Sequence, residues 1–125
     1  GGNRMTIQEC YASFGGDFND VQSRLLTEER IAKFAVRFLD DSTMKLLEDS
    51  IASKNYEEAF RAAHTLKGVT QNLSFTPLYQ IIFDMTETLR PGNNGDMNLA
   101  AEQLKIVEEK YKTITAAISE FKAQL

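Results

Sequence analysis

Residues 55–74 read NYEEAFRAAHTLKGVTQNLS, and the reading of this stretch decides the fold. On a helix advancing about 100° per residue, Ala59, Ala62, Ala63, Leu66, Val69 and Leu73 fall into one apolar stripe, with Thr70 beside it. Small residues dominate the stripe, so a neighbouring helix can approach closely. Asn55 is suited to cap the start of the helix. The chain has a single histidine, His64. It lies roughly 160° around the helix from Leu66, so burial is not the reason for it. On its own side of the helix lie Glu57, Phe60, Arg61, Lys67, Gly68, Gln71 and Phe75.

Working outward, helical patterning covers most of the 125 residues. A short helix is expected over 7–14, ended by Gly15-Gly16, and a second over 18–25, capped by Asp17. Thr27 is suited to cap a helix over 28–39, with Ile31, Phe34, Ala35 and Phe38 as its apolar stripe. A helix over 43–53 carries Met44, Leu47 and Ile51 on one side. After the His64 helix, Thr76-Pro77 reads as a cap followed by Pro at the first helical position. That helix runs to about residue 90, with Leu78, Ile82, Met85 and Leu89 as its core stripe, and Pro91 prevents continuation. Residues 91–96 form the clearest loop. The last helix, over 97–124, places Ala100, Leu104, Val107, Tyr111, Ile114, Ile118, Phe121 and Leu125 at alternating three- and four-residue steps. This is the repeat of a bundle seam. No stretch alternates in the manner of a strand. The fold class expected is all-α: an antiparallel four-helix bundle with short additional N-terminal helices.

Composition excludes several functions. The net charge of −4 leaves no surplus of Lys and Arg to neutralise phosphates, so nucleic acid is not the expected partner. No apolar run is long enough to cross a bilayer, and there is no signal-peptide pattern. With one cysteine, Cys10, no intramolecular disulfide can form, which fits a reducing compartment and, by default, the cytoplasm. Cys10 itself reads as a small, semi-buried apolar residue. Residues 1–4 read as a foreign leader ahead of a natural start at Met5.

An imidazole, whose ordinary pKa is about 6.5, offers a nucleophilic nitrogen near neutrality. It can serve as general base, metal ligand or phosphoryl acceptor. Hydrolysis needs an orienting acid and an oxyanion site in a cleft, and a convex helix face supplies neither. A di-metal bundle places Glu three residues before His, where this chain has Arg61, and one His without clustered carboxylates is a poor transition-metal site, so no metal and no cofactor is expected. There is no Gly-rich phosphate loop, so the chain has no ATP site of its own. A phosphoryl acceptor needs an exposed imidazole, a cation, room and a docking surface. Lys67 at i+3 is within reach of an anion on His64. Gly68 at i+4 costs a helix about 1 kcal/mol relative to Ala and clears space beside the ring.

These residues resemble a known family. His64-Thr65-Leu66-Lys67-Gly68, followed by Gln71-Asn72-Leu73 and preceded by Tyr56-Glu57-Glu58-Ala59-Phe60-Arg61-Ala62-Ala63, is similar to the signature of histidine-containing phosphotransfer (HPt) domains. The resemblance covers the chain from about Thr27 to its end. It implies one such bundle domain over residues 5–125, in which His64 shuttles a phosphoryl group between aspartates of receiver domains. It further implies that Lys67 stabilises that group, that Gly68 gives access and that Gln71 is a polar neighbour. The chain would be a phosphoryl carrier, not an enzyme, and the partner would supply catalytic Mg²⁺ and acidic groups. The partners implied are a response-regulator receiver domain or a hybrid histidine kinase, with the carrier itself a monomer. Phe60, Arg61 and Phe75 are the expected partner-binding residues, and Tyr79 and Phe83 extend the patch. Family members commonly carry Gly where this chain has Ser74, which bears on how the helix terminates. The alternatives are a receiver-binding or adaptor module of the same fold that is never phosphorylated, and a fragment of a chemotaxis-type kinase.

Overall fold

A computed structural model describes residues 4–125, so the expectation of a foreign leader over residues 1–4 lies, Arg4 apart, outside the described residues. Among the described residues seven α-helices follow in order: α1 (Ile7–Phe14), α2 (Phe18–Leu25), α3 (Glu28–Arg37), α4 (Thr43–Ala52), α5 (Tyr56–Asn72), α6 (Thr76–Leu89) and α7 (Met97–Lys122). A single 3-10 turn, Phe38–Asp40, extends α3. No strand occurs among the described residues. The loops at 53–55, 73–75 and 90–96 are short, so α4, α5, α6 and α7 run antiparallel and pack as consecutive neighbours. Helices α1 and α3 and the 3-10 turn lie against α7. No helix among the described residues is long and apolar enough to cross a membrane.

Local chemistry sets the helix starts. The side chains of Thr6, Asp17, Thr27, Asn55 and Asp96 accept hydrogen bonds from the backbone N–H of Glu9, Asp20, Arg30, Glu58 and Asn98, satisfying donors that a first turn leaves unpaired. At α6 the sequence reading needs correction. The capping residue is Phe75, Thr76 is the first helical residue, and the Thr76 hydroxyl reaches back to the Ser74 carbonyl at 3.4 Å.

Every helix contributes to one hydrophobic cluster. The stripe of α6 is buried throughout, as are Ala59, Ala62, Ala63 and Leu66 of α5. Along α7 the seam holds at Ala100, Val107, Ile114, Ile118 and Phe121, while Leu104 and Tyr111 are half-buried. Leu125 departs from it. It lies beyond the end of the helix at Lys122, after a closing turn in which its N–H donates to the Lys122 carbonyl at 3.1 Å, and its side chain is 80% exposed. Cys10 is fully buried rather than semi-buried, and burial, with a smaller contribution from the Glu120 charge, pushes its thiol up to about 11.

The end of α5 is built with unusual care. Ser74 has φ 55°, the left-handed conformation that favours glycine. The N–H of Ser74 donates to the Gln71 carbonyl, and that of Phe75 donates to the Thr70 carbonyl at 2.9 Å. This is the Schellman arrangement, in which the residue after the left-handed one turns inward to an apolar contact. Groups from the N-terminal segment complete the seal. The Tyr11 hydroxyl donates to the Leu73 carbonyl at 2.8 Å, and the Asp17 N–H to the Ser74 carbonyl at 3.0 Å. The Arg24 guanidinium donates to the carbonyls of Gln71 and Asn72, placing a cation at the negative end of the helix. The Ser74 hydroxyl donates to Asp20 at 2.7 Å. Hydrogen bonds from Arg24 and then Ser74 hold the Asp20 carboxyl below the usual carboxylate range.

Candidate functional site

His64 is exposed, on the face of α5 opposite the buried alanines. The Phe60 ring, one turn earlier, lies with its centroid 5.9 Å from that of the imidazole and tilted by 41°, flanking the ring on the N-terminal side. On the C-terminal side is Gly68. A Cβ built there would meet nothing within 4 Å, so the space next to the imidazole is open. Gly68→Ala is therefore expected to stabilise the fold by about 0.5–1 kcal/mol, through helix propensity alone. Gly68→Gln should slow any reaction at His64 by about 10–100-fold by occupying the approach. Denaturant midpoints and reaction rates measured on the same samples check both, and a destabilised Gly68→Ala would show that the site is not open.

Lys67 is half-buried on the flank of α5 nearest α6. Its Nζ lies 5.2 Å from the centroid of Phe83, an aromatic residue of α6 that is 42% exposed. Tyr79 lies one turn earlier on α6, its ring centroid 6.2 Å from that of Phe83 and tilted by 59°. Toward the end of α6, Arg90 lies 5.2 Å over the Phe60 ring and grips Glu87 with two hydrogen bonds, Nε to Oε2 at 3.2 Å and Nη2 to Oε1 at 2.9 Å. Arg61 is exposed and paired with Glu57 at 2.7 Å and Glu58 at 3.3 Å, one turn back on its own helix. Such exposed pairs contribute about 0.2–1 kcal/mol at most.

The structure thus brings together His64, Phe60, Lys67 and Gly68 on one convex face. Gln71 is exposed one further turn along, where it lines a separate cleft with Asp20, Thr70, Ser74, Thr76 and Tyr79. Phe75 is not at the surface, contrary to the sequence reading. It is 0% exposed, and its ring meets Tyr11, Phe14 and Phe38 at 5.7, 5.4 and 5.1 Å. The helical phase that puts it beside His64 no longer applies beyond Asn72, where the left-handed Ser74 redirects the chain into the core. Among expected partner-binding residues, Phe60 and Arg61 remain on the His64 face.

Glu87 and Arg90 escape a reading of single helices. Their spacing from Phe83, four and seven residues, places all three on one face of α6, and that signal is legible once the α5–α6 pairing is known. Among the described residues no group of three or more His, Cys, Asp or Glu side chains is placed to hold a metal ion.

Comparison with known proteins adds three findings. A family model described as the Hpt domain matches residues 35–124. Chemotaxis protein CheA of Borreliella burgdorferi is 33% identical over 85 residues, covering 62% of this chain and 10% of that protein, so the chain spans about a tenth of the relative's length. No solved structure matches the chain significantly.

Proposed function

The chain belongs to the Hpt domain family, and on that premise we propose that it carries a phosphoryl group on His64 between aspartates of receiver domains. The family makes it a histidine phosphotransfer module of two-component signalling; the acceptor residue, its supports and the place in a relay are the proposal. The observation that carries the reading is the exposed imidazole with open space over Gly68 and a lysine one turn on.

The chemistry asks little of the chain. A lone pair on one imidazole nitrogen attacks the phosphorus of an aspartyl phosphate in line with the leaving oxygen. The N–P bond forms as the P–O bond to the aspartate breaks, and the carboxylate departs with the bonding pair. The other ring nitrogen keeps its proton, so the product is a phospho-imidazolium. Catalysis here is positioning and charge stabilisation. Phe60 limits how the imidazole turns, Gly68 leaves the donor's path clear, and the Lys67 ammonium offsets charge on the phosphoryl oxygens. Reversal of the same step hands the group on. The convex face with Phe60 and Arg61 is the docking surface, and Tyr79 and Phe83 extend it across α6.

The likeness to chemotaxis protein CheA favours one second reading, in which the same module works as part of a longer chemotaxis protein. Incubation with a phosphorylated receiver domain tests the first reading. The chain should gain phosphate that is acid-labile and alkali-stable and that maps to His64 by mass spectrometry under neutral conditions. Receiver binding without such phosphate would reduce it to a docking module, and labelling only by a kinase domain with ATP would favour the second reading.

A further inference from the structure

We infer that Phe83 is a positioning residue that parks the Lys67 ammonium beside His64, and that the Glu87–Arg90 pair keeps this ammonium available to a phosphoryl group. The inference rests on the reading of His64 as the acceptor.

Lys67 has two possible resting partners on α6. One is the Phe83 ring, over which its Nζ lies at 5.2 Å. The other is the Glu87 carboxylate, one turn further along on the same face of α6. Lys67 is near enough for its charge to contribute, after the hydrogen bond and the charge of Arg90, to holding the Glu87 carboxyl below the usual range. The two partners have opposite consequences. A carboxylate would neutralise the ammonium and occupy its donors, and an incoming phosphoryl dianion would have to displace it. An aromatic face attracts the cation through the ring quadrupole while leaving its N–H groups pointing outward.

Arg90 decides between them. Its two hydrogen bonds engage both oxygens of Glu87 in the fork geometry that suits a guanidinium. The guanidinium is in turn fixed over Phe60, the residue whose other neighbour is the imidazole. Both oxygens of Glu87 are thereby satisfied by the Arg90 guanidinium, and Lys67 is left on Phe83. Phe83 lies off the core stripe of α6 and outside the hydrophobic cluster, so packing does not account for its place.

The test uses the full chain, with phosphoramidate as the phosphodonor so that no partner surface enters. His64 attacks its phosphorus, the P–N bond breaks and ammonia leaves. Phe83→Leu, which keeps the core intact, should slow uptake at His64 by about two- to fivefold. It should also abolish the upfield ring-current shift of the Lys67 ε-methylene protons in the NMR spectrum. Phe83→Tyr should retain both. Arg90→Ala should slow uptake to a similar degree, and adding Glu87→Gln should restore it, a suppression that a merely structural role for Arg90 does not produce. Uptake by Phe83→Leu at the wild-type rate, or a double variant as slow as Arg90→Ala, overturns the inference alone. A wild-type chain that takes up no phosphate at His64 overturns the functional reading and this inference with it.

Discussion

His64→Gln is expected to take up no phosphate from a phosphorylated receiver while folding as the wild type does. The chain has no second imidazole to substitute. Its one thiol, Cys10, is fully buried and held protonated by a pKa near 11, so it offers no competing nucleophile at neutral pH. The imidazole is exposed and outside the core cluster, so its loss should change stability by no more than about 0.5 kcal/mol. Radiolabel retained after alkaline treatment, compared between the two proteins at matched denaturant midpoints, measures the effect. A His64→Gln protein labelled at more than a small fraction of the wild-type level would remove His64 from the reaction.

The largest effect on stability belongs to Phe75→Ala. Its ring is completely buried at the junction of α1, the 3-10 turn and the α5–α6 loop, with aromatic neighbours on three sides. Truncating a buried Phe to Ala costs about 3–5 kcal/mol through lost transfer energy and the cavity left behind. Against a total of about 5–15 kcal/mol for a typical protein, that is a large share of the stability. Equilibrium urea unfolding should show a large drop in midpoint, and receiver binding should fail only to the extent that the protein unfolds. A loss below about 1 kcal/mol with weakened binding would return Phe75 to the docking surface.

The contrast between these two residues shows what the sequence can and cannot disclose. Both fall on one face when residues 55–75 are wound as a continuous helix. For His64 this is correct, because phase is a local property and α5 is unbroken around it. For Phe75 it fails because the helix stops at Asn72. That stop depends on a residue in the left-handed conformation, normally announced by Gly or Asn, and here the position is filled by Ser74. The departure of this residue from the family's usual glycine marks the place but not the consequence. The helix starts were legible because Asp17, Thr27 and Asn55 act on donors three residues away. The core stripe of α6 was legible from its spacing. The Lys67–Phe83 and Arg90–Phe60 contacts were not, because they depend on the register between two helices, which no single-helix pattern encodes. The α7 seam ends at Phe121, short of Leu125, since a repeat by itself does not say where a helix frays.

The seal on the last turn of α5 also bears on how this module can be cut and moved. The family match begins at residue 35, in the last turn of α3, while Tyr11, Asp17 and Arg24, which tie down the carbonyls of residues 71–74, all precede it. A fragment trimmed to the family outline would start inside a helix, open one wall around Phe75 and leave the His64 helix with loose ends. The portable unit is thus larger than the shared one. Fusions, chimaeras or transplants of this phosphotransfer module have to carry α1 and α2 with them.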